Sequence, residues 1–184
     1  MSEIDNAIKE CDLMIDRIIE SDAELKENYA IITSIKGVAR QNGACLLIFT
    51  NNFRRFDLDA RKIACYYGVA PFGKDSGTSI HSPAKTSHFA NKLIKSLLGQ
   101  AAHCAKKFNP EIREYYNRLI GRGKKPQVAL NNVKNKLIRI IVALVRKKVY
   151  YDPKTGSVRK PCGYVMLIRA SELSLRKIKK ITIQ

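Results

Sequence analysis

The segment QVALNNVKNKLIRIIVALVRKK, residues 127–148, decides the fold class of this chain. Its length suits a helix rather than a strand, and residues 137–145 are apolar except for Arg139. That apolar run is shorter than the roughly 18 residues that a membrane span needs. We therefore expect a buried helix inside a soluble, cytoplasmic protein.

Further helices precede this segment at short intervals. Residues 88–108 predict one helix, with a buried apolar face that recurs every four residues and a lysine-bearing outer face. Its predicted buried residues are Phe89, Leu93, Leu97, Leu98, Ala101, Ala102 and Ala105, and its outer lysines are Lys92, Lys95, Lys106 and Lys107. Asn109 and Pro110 end that helix and begin a short one over 111–120, followed by a basic turn at 121–126. The sequence therefore predicts a compact, mostly α-helical domain over residues 29–153.

The stretch ACYYGVAPFGKDSGTS, residues 64–79, is the most informative for function. A helix over 58–67, capped by Asp57, is expected to end at Gly68, and Pro71 prevents its continuation. A polar loop is expected from Pro71 to about Ser87. Within it Ser76 lies among glycines and close to lysines. A hydroxyl on a polar turn of a basic chain favours chemistry on a phosphodiester.

A helix-hairpin-helix is predicted around Gly37. Apolar segments at 29–35 and 44–49 flank this glycine, as two helices joined by a tight turn would. Backbone N–H groups at such a turn and at the following helix start can hold a phosphate. Lys36 and Arg40 would add positive charge beside it. A plain helical hairpin would need the same glycine simply to turn.

Residues 1–28 differ in charge from the rest of the chain. They contain nine acidic and three basic residues, a balance of −6, whereas the chain as a whole carries +18 and the remainder +24. Apolar residues recur here at heptad spacing, which predicts a short coiled coil over 4–25. These seam residues are Ile4, Ala7, Cys11, Met14, Ile18 and Leu25. The alternative is an amphipathic helix that lies on its own basic domain.

The basic excess outside residues 1–28 is typical of a nucleic-acid-binding protein. A basic protein kept soluble by its charge is the alternative. Residues 154–184 hold eight basic residues and one acidic residue, and we expect a poorly ordered tail there.

Nothing in the sequence predicts a metal site. The five cysteines contain no CxxC pair and show no zinc spacing, so most are expected to be small buried residues. His103 is expected to be packed in its helix, while His81 and His88 flank the polar loop. Asp57, Asp59 and Asp75 do not form a set that would hold magnesium.

Four motifs over residues 31–153 resemble the carboxy-terminal domain of the IS-one-ten family of insertion-sequence transposases. These are serine recombinases that are guided, in the best-known members, by a bridge RNA. The motifs are Ile35-Lys36-Gly37-Val38, Tyr67-Gly68-Val69-Ala70-Pro71, Ser76-Gly77-Thr78-Ser79 with Lys85 beyond it, and Gly123-Lys124-Lys125. Two positions depart from the family pattern: arginine is common where this chain has Lys95, and a glycine is usual near Ser87.

The resemblance implies a specific chemistry. Ser76 would be the nucleophile that attacks a DNA phosphodiester and holds one strand end as a phosphoserine. The family activates this serine with a ribonuclease-H-like domain whose Asp-Glu-Asp-Asp set binds Mg²⁺. We find no such domain in this sequence, so we expect no cofactor in this chain and no cleavage by the chain alone. DNA, a guide RNA and a second copy of the chain, joined through residues 4–25, are the expected partners.

The predicted functional residues form one catalytic and one binding set. Ser76 is the predicted catalytic residue. The predicted nucleic-acid contacts are Lys36, Gly37, Arg40, Lys74, Gly77, Thr78, Ser79, Lys85, Lys92, Lys95, Arg122, Lys124 and Lys125. The sequence also allows a protein without a nucleophile that binds DNA or RNA, or a regulator of a longer transposase.

Overall fold

The fold is that of a computed structural model, which describes the backbone of residues 2–76, 80–86 and 92–152 and the side chains of 3–71 and 92–152. Seven α-helices, one short 3₁₀ turn and one β-hairpin make up the described elements. They are α1 (Ser2–Ser21), α2 (Ala23–Thr33), α3 (Arg40–Thr50), the 3₁₀ turn (Arg54–Phe56), α4 (Ala60–Tyr66), β1 (Pro71–Ser76), β2 (Ile80–Thr86), α5 (Lys92–Phe108), α6 (Pro110–Gly121) and α7 (Pro126–Lys147). The predicted mostly α-helical fold is confirmed. The predicted tail, 154–184, lies outside the described residues.

Helix α7 forms the centre of the core. It packs against α2, α4, α5 and α6, and its buried stripe recurs every three or four residues. Val133, Leu137, Ile141 and Leu144 lie on this stripe and are at most 4% exposed. The stripe faces the other helices because the helical repeat keeps these positions on one side. The prediction of a long buried helix over 127–148 is therefore confirmed.

Helix α5 is present, but its buried face is rotated from the prediction. Leu93 was predicted as a core residue and this is wrong, since it is 56% exposed, whereas Ile94 is 2% exposed. The stripe runs through Ile94, Leu98, Ala101 and Ala105. A mixed spacing of four, three and four residues follows a helix more closely than the strict four-residue repeat that was predicted. The predicted start of this helix, 88–91, lies outside the described residues.

The segment between α4 and α5 differs most from the prediction. Residues predicted as a polar loop form an antiparallel hairpin, in which Pro71 pairs with Thr86 and Ser76 pairs with Ile80. A bulge interrupts the ladder between Phe72 and Lys74. Backbone hydrogen bonds hold such a ladder together, and apolar periodicity in the sequence does not report them.

Helix α4 is shorter than predicted, and a different residue caps it. Asp59 is its N-cap, and its carboxylate accepts from the Arg61 and Lys62 amides. The predicted cap, Asp57, lies before the helix with a φ of 51°. Gly68, at a φ of 62°, ends the helix as predicted.

Helices α1 and α2 are separate where one helix was predicted to continue to Leu25. Asp22 interrupts the chain in an extended conformation and caps α2, accepting from the Glu24 and Leu25 amides. Leu25 then packs half-buried against the core. The heptad seam on α1 therefore ends at Ile18.

Two expectations about single side chains are wrong. Cys11, Cys65 and Cys104 are exposed, although most cysteines were expected to be buried. His103 is exposed as well. Both errors have one cause: these residues occur in apolar segments but lie on the solvent side of amphipathic helices.

Candidate nucleic-acid interface

Ser76 is the last residue of β1, at the end of the hairpin farther from Pro71 and Thr86. It pairs with Ile80, the first residue of β2, while Pro71 and Thr86 pair at the base. Lys74 pairs with Ser82, and Lys85 pairs with Phe72 nearer the base. The hairpin thus brings the backbone positions of three predicted site residues, Ser76, Lys74 and Lys85, into one ladder. Three further predicted residues lie outside the described residues: Gly77, Thr78 and Ser79.

The entrance to the hairpin is fixed to the core. Val69 is fully buried, and its carbonyl accepts a hydrogen bond of 2.9 Å from Asn131 Nδ2 on α7. Its amide donates to the Ala64 carbonyl at the end of α4. Asn131 was not predicted as a site residue, because an asparagine within a helix gives no local signal of a partner 62 residues away.

Helices α5 and α7 each carry a half-buried lysine. Lys134 lies on α7, three residues beyond Asn131, and Lys95 lies in the first turn of α5. The ammonium of Lys134 lies over Gly99 of α5, where a Cβ would be only 3.5 Å from Nζ. Burial, and then the charge of Lys95, lower the pKa of Lys134. Lys92 is exposed on the same helix as Lys95.

Lys134 is a functional candidate that was not predicted from the sequence. It follows the buried Leu130 by four residues and precedes the buried Leu137 by three. A charged residue inside an apolar stripe is a signal that the sequence does contain. The predicted phosphate contacts were instead lysines and arginines in turns and on exposed helix faces, so Lys134 was not among them.

The predicted helical hairpin at Gly37 is present between α2 and α3. Gly37 has a φ of 106°, and a Cβ on it would lie 2.4 Å from the Ala105 nitrogen of α5. The Val38 amide donates to the Ile35 carbonyl at 3.0 Å. The glycine is therefore required where two backbones meet, while Lys36 stays exposed beside the turn.

Arg40 is exposed, but its guanidinium pairs with Asp16 of α1. The hydrogen bond that it donates to Asp16 is the main cause of the raised pKa of Arg40. Two more ion pairs join the acidic amino-terminal region to the basic body: Arg54 with Glu24 at 2.6 Å and Lys148 with Glu27 at 3.3 Å. The acidic region therefore neutralises part of the basic surface.

Three of the predicted nucleic-acid contacts lie in the turn between α6 and α7. Arg122, Lys124 and Lys125 are all exposed. Gly123 has a φ of 77°, and a Cβ on it would have no neighbour within 4 Å. The glycine here satisfies the conformation of the turn rather than a close contact.

A second basic cluster, not predicted as such, surrounds the end of α5. Lys106 Nζ lies 4.7 Å from the centre of the Tyr116 ring, and Lys107 Nζ lies 5.3 Å from that of Phe108. Phe108 itself is 59% exposed. The Arg113 guanidinium donates to the Lys106 and Lys107 carbonyls, which caps the helix end. Basic and aromatic residues occur close together over 106–116, and this composition is the sequence signal that predicts such a cluster.

The described residues contain neither a candidate metal site nor a candidate membrane-spanning helix. These residues contain no group of three or more histidine, cysteine, aspartate or glutamate side chains able to hold a metal ion. Their helices include none that is both long and apolar enough to cross a membrane.

Comparison with known proteins gives one consistent family. Residues 29–117 match the family described as Transposase IS116/IS110/IS902. The chain is 31% identical over 124 residues to the insertion element IS110 uncharacterized 43.6 kDa protein of Streptomyces coelicolor, covering 67% of this chain and 30% of that protein. It is 24% identical over 150 residues to the pilin gene-inverting protein of Moraxella bovis, covering 81% of this chain and 46% of that protein.

A third relative, like the first, is named for an insertion element. The insertion element IS116 uncharacterized 44.8 kDa protein of Streptomyces clavuligerus is 24% identical over 144 residues, covering 75% of this chain and 36% of that protein. The matched region spans less than half the length of each of these relatives. The family match begins in α2, includes the hairpin with Ser76 and extends into α6. Residues 29–117 of this chain are therefore a transposase domain of the IS116/IS110/IS902 family.

Proposed function

We propose that this chain is the serine-bearing part of a DNA transposase, which binds DNA and transfers a strand through Ser76. The observation that supports it most strongly is the family match over residues 29–117, which includes the whole hairpin together with α3, α4 and α5. The overall charge of +18 supports DNA as the partner. Relatives named for insertion elements and for gene inversion support DNA rearrangement as the process.

In the proposed step the Ser76 hydroxyl attacks a backbone phosphorus. The Oγ–P bond forms as one P–O bond of the DNA strand breaks, and the strand end that departs takes up a proton as a hydroxyl. The serine proton goes to a general base, because a neutral hydroxyl is a weak nucleophile. The phosphoserine diester keeps the bond energy, so a second strand end can reverse the step without ATP.

Activation of Ser76 is assigned to groups other than the residues described in this structure. Those residues do not fit a magnesium site, so the part proposed for this chain is to supply the nucleophile and to hold the strand. The family resemblance assigns activation to a separate acidic domain. A guide RNA is proposed on the same resemblance, and the exposed lysines and arginines of this chain would bind its phosphates as readily as those of DNA.

Self-association through α1 is part of the proposal. Its heptad seam is open to solvent: Ile4, Met14 and Ile18 are 68%, 58% and 62% exposed. The adjacent side of the helix faces the body, where Ile19 is buried and Asp16 pairs with Arg40. The sequence allows either a coiled coil or a helix that lies on its own domain. We propose that α1 combines the two, because one of its faces contacts the body while its exposed seam packs against a second copy.

The test of strand transfer is trapping of a covalent adduct. The chain is incubated with nicked DNA and with a full-length relative whose own nucleophilic serine is replaced, which supplies the acidic domain. We expect a protein–DNA adduct that survives denaturation and is lost in Ser76→Ala. Ser82→Ala, on the other strand of the same hairpin, is the matched control and should keep the adduct.

The two sequence-based alternatives predict a different result. A DNA- or RNA-binding protein without a nucleophile would bind the labelled DNA but give no adduct with either variant. A regulator would form mixed complexes with the relative and reduce the relative's own recombination. An adduct that persists in Ser76→Ala would refute the assignment of the nucleophile.

A further inference from the structure

The corner between α5 and α6 contains a cleft that the proposed strand transfer does not use. Its volume is about 600 Å³, within the range of ligand sites, but it is open to solvent along the surface. The described residues that line it are His103, Cys104, Lys106, Lys107, Phe108 and Arg113, and none of them is acidic. Phe108 is 13 residues beyond Lys95, about 20 Å along the helix, so the cleft is separate from the contacts predicted at the start of α5.

Phe108 is the feature of this cleft that ordinary packing does not explain. Its side chain is 59% exposed, and it is the only exposed aromatic residue among the side chains that the structure describes. A single exposed apolar side chain is common on protein surfaces and is not by itself a site. Phe108 differs because its ring lines a cleft together with three basic side chains.

These basic side chains are already held in place. Lys106 Nζ lies 4.7 Å from the centre of the Tyr116 ring, and Lys107 Nζ lies 5.3 Å from that of Phe108. The Arg113 guanidinium is held by the Lys106 and Lys107 carbonyls. Ordering them beforehand reduces the entropy that is lost when a ligand binds.

The three bases of the cleft also lack acidic partners within the described part of the chain. Five other basic residues there form ion pairs with carboxylates: Arg40, Arg54, Lys62, Lys136 and Lys148. None of those ion pairs includes Lys106, Lys107 or Arg113. Their charge is therefore available to an anion that enters the cleft.

An aromatic ring beside ammonium groups matches the chemistry of an unpaired nucleotide. Single strands bind to proteins by stacking bases on aromatic side chains while basic residues follow the phosphates. In a duplex each base is covered on both faces by its neighbours, so the ring has no free base to stack on. An acidic peptide would use the charges but not the ring, and one ring is too little apolar surface for a membrane anchor.

We propose that Phe108 stacks on an unpaired base of a nucleic-acid strand, and that Lys106 and Lys107 bind the phosphates beside that base. The choice of a nucleic acid as the ligand rests on the proposed function. An unpaired nucleotide of DNA and one of RNA offer the same stacking face and the same phosphate, so either strand can occupy the cleft. The three residues bind the strand and take no part in the bond making assigned to Ser76.

The experiment measures binding of the full chain to a deoxythymidine strand of about ten nucleotides, a length within the range of single-strand sites. We expect Phe108→Ala to lower the affinity about tenfold at roughly 0.1 M salt. The slope of log affinity against log salt should stay at the wild-type value, because a stacking contact and not a phosphate contact is lost. Ile48→Ala, which shortens a 66% exposed side chain on α3, is the matched control and should keep the wild-type affinity.

A second variant reports stacking directly. Phe108→Trp keeps an aromatic ring and gives the chain its only tryptophan, so its fluorescence comes from the cleft alone. We expect wild-type affinity for the deoxythymidine strand, with quenching of the tryptophan as the base stacks on it. A strand of the same length that carries phosphates but no bases is the control ligand. It should bind the wild type and Phe108→Ala equally and leave the tryptophan unquenched.

The phosphate contacts are tested by the salt dependence. Lys107→Met keeps the apolar stem and removes the charge, so it should decrease the slope by about 0.7, the single-strand value for one phosphate contact. Lys147→Met removes an exposed lysine at the end of α7 and should keep the wild-type slope. Equal slopes for Lys107→Met and the wild type would overturn the phosphate contact of Lys107.

The outcomes separate this inference from the proposed function. Equal affinities of the wild type and Phe108→Ala for the deoxythymidine strand and for a uridine strand would overturn the stacking site, even if Ser76→Ala still abolished the adduct. A loss that was as large on the strand without bases would overturn it as well. A loss on either base-containing strand alone supports the site and identifies DNA or RNA as its source. A chain that bound no nucleic acid would refute the proposed function and this inference together.

Discussion

Gly37 has a structural role that is separate from the phosphate contact predicted for it. Its φ of 106° lies where side chains are strained, and its α-carbon packs directly against the backbone of α5. From the sequence it was predicted to bind phosphate, because glycine turns do that in helix-hairpin-helix motifs. The structure gives it a packing requirement, and its contact with phosphate stays a prediction.

We predict that Gly37→Ala destabilises the protein by more than about 2 kcal/mol, since a strained φ alone costs roughly 1–2 kcal/mol and the new Cβ would also collide with Ala105. Urea unfolding measures the change. Gly121→Ala is the control, because nothing lies within 4 Å of its Cβ. That variant should unfold at the wild-type denaturant concentration or slightly above it, and equal effects of the two changes would contradict the packing argument.

Asp16 is a second residue whose role depends on its partner. We predict that Asp16→Asn tightens DNA binding about twofold to fivefold at low salt, because it frees Arg40 for a phosphate. Fluorescence anisotropy with a labelled duplex measures it. Glu20→Gln removes the same charge from an exposed position of α1 and is the control. If both variants gained equally, a general loss of negative charge would explain the effect.

At the scale of elements, the segment after α7 is fastened to the start of α6. Asn109, fully buried, donates to the Tyr151 hydroxyl at 2.9 Å, and that hydroxyl donates to Glu111 Oε2 at 2.8 Å. Lys136 of α7 completes the group through Glu111 Oε1. Burial alone would raise the pKa of Glu111, but hydrogen bonds from Lys136 and Tyr151 outweigh it and lower that pKa.

This cluster predicts a pH dependence above neutrality. Burial raises the pKa of Tyr151 to about 12, with the Asn109 bond opposing and Glu111 adding to the rise. The folded state then holds a proton that the unfolded state loses from its ordinary value of 10.0 upward. The stabilisation is therefore complete below pH 10 and declines between pH 10 and 12.

We predict that Tyr151→Phe is less stable by about 1 kcal/mol at neutral pH, because the hydroxyl bonds are lost. It should also lose less stability than the wild type between pH 10 and 12. Urea midpoints across that range measure both effects. Tyr150→Phe, at the neighbouring half-buried position, should follow the wild-type pH profile. A Tyr151→Phe profile parallel to the wild type would contradict the assignment.

At the scale of the whole molecule, charge is divided between an acidic amino-terminal region and a basic body. Ion pairs join the two at three places, yet the apolar seam of α1 faces solvent. This arrangement fixes one side of α1 and leaves the seam exposed, where we propose that a second copy of the chain packs. Cys11 lies at the centre of the seam and is exposed.

We predict that mild oxidation crosslinks two copies of the chain through Cys11, because equivalent seam positions face each other in a parallel coiled coil. Non-reducing gel electrophoresis shows the product. Cys11→Ser should abolish the crosslinked dimer, whereas Cys104→Ser, at an exposed position on α5, should leave it unchanged. A dimer that depended on Cys104 instead would place the contact elsewhere.

The sequence by itself determined the helical class, the order of the helices and the family. Apolar periodicity predicted α5 and α7, Asn109 and Pro110 fixed the start of α6, and Gly68 ended α4. These are local effects, since a helix satisfies its backbone within its own segment and its caps lie a few residues away.

Only the tertiary structure decided which residues meet. The hairpin ladder, the bond from Asn131 to Val69, the approach of Gly37 to Ala105 and the position of Lys134 over Gly99 all depend on contacts that no local sequence pattern reports. The rotation of α5 that exposes Leu93 and buries Ile94 also depends on its neighbours. Such features come from close packing between elements, which fixes positions to fractions of an ångström and leaves no periodic trace in the sequence.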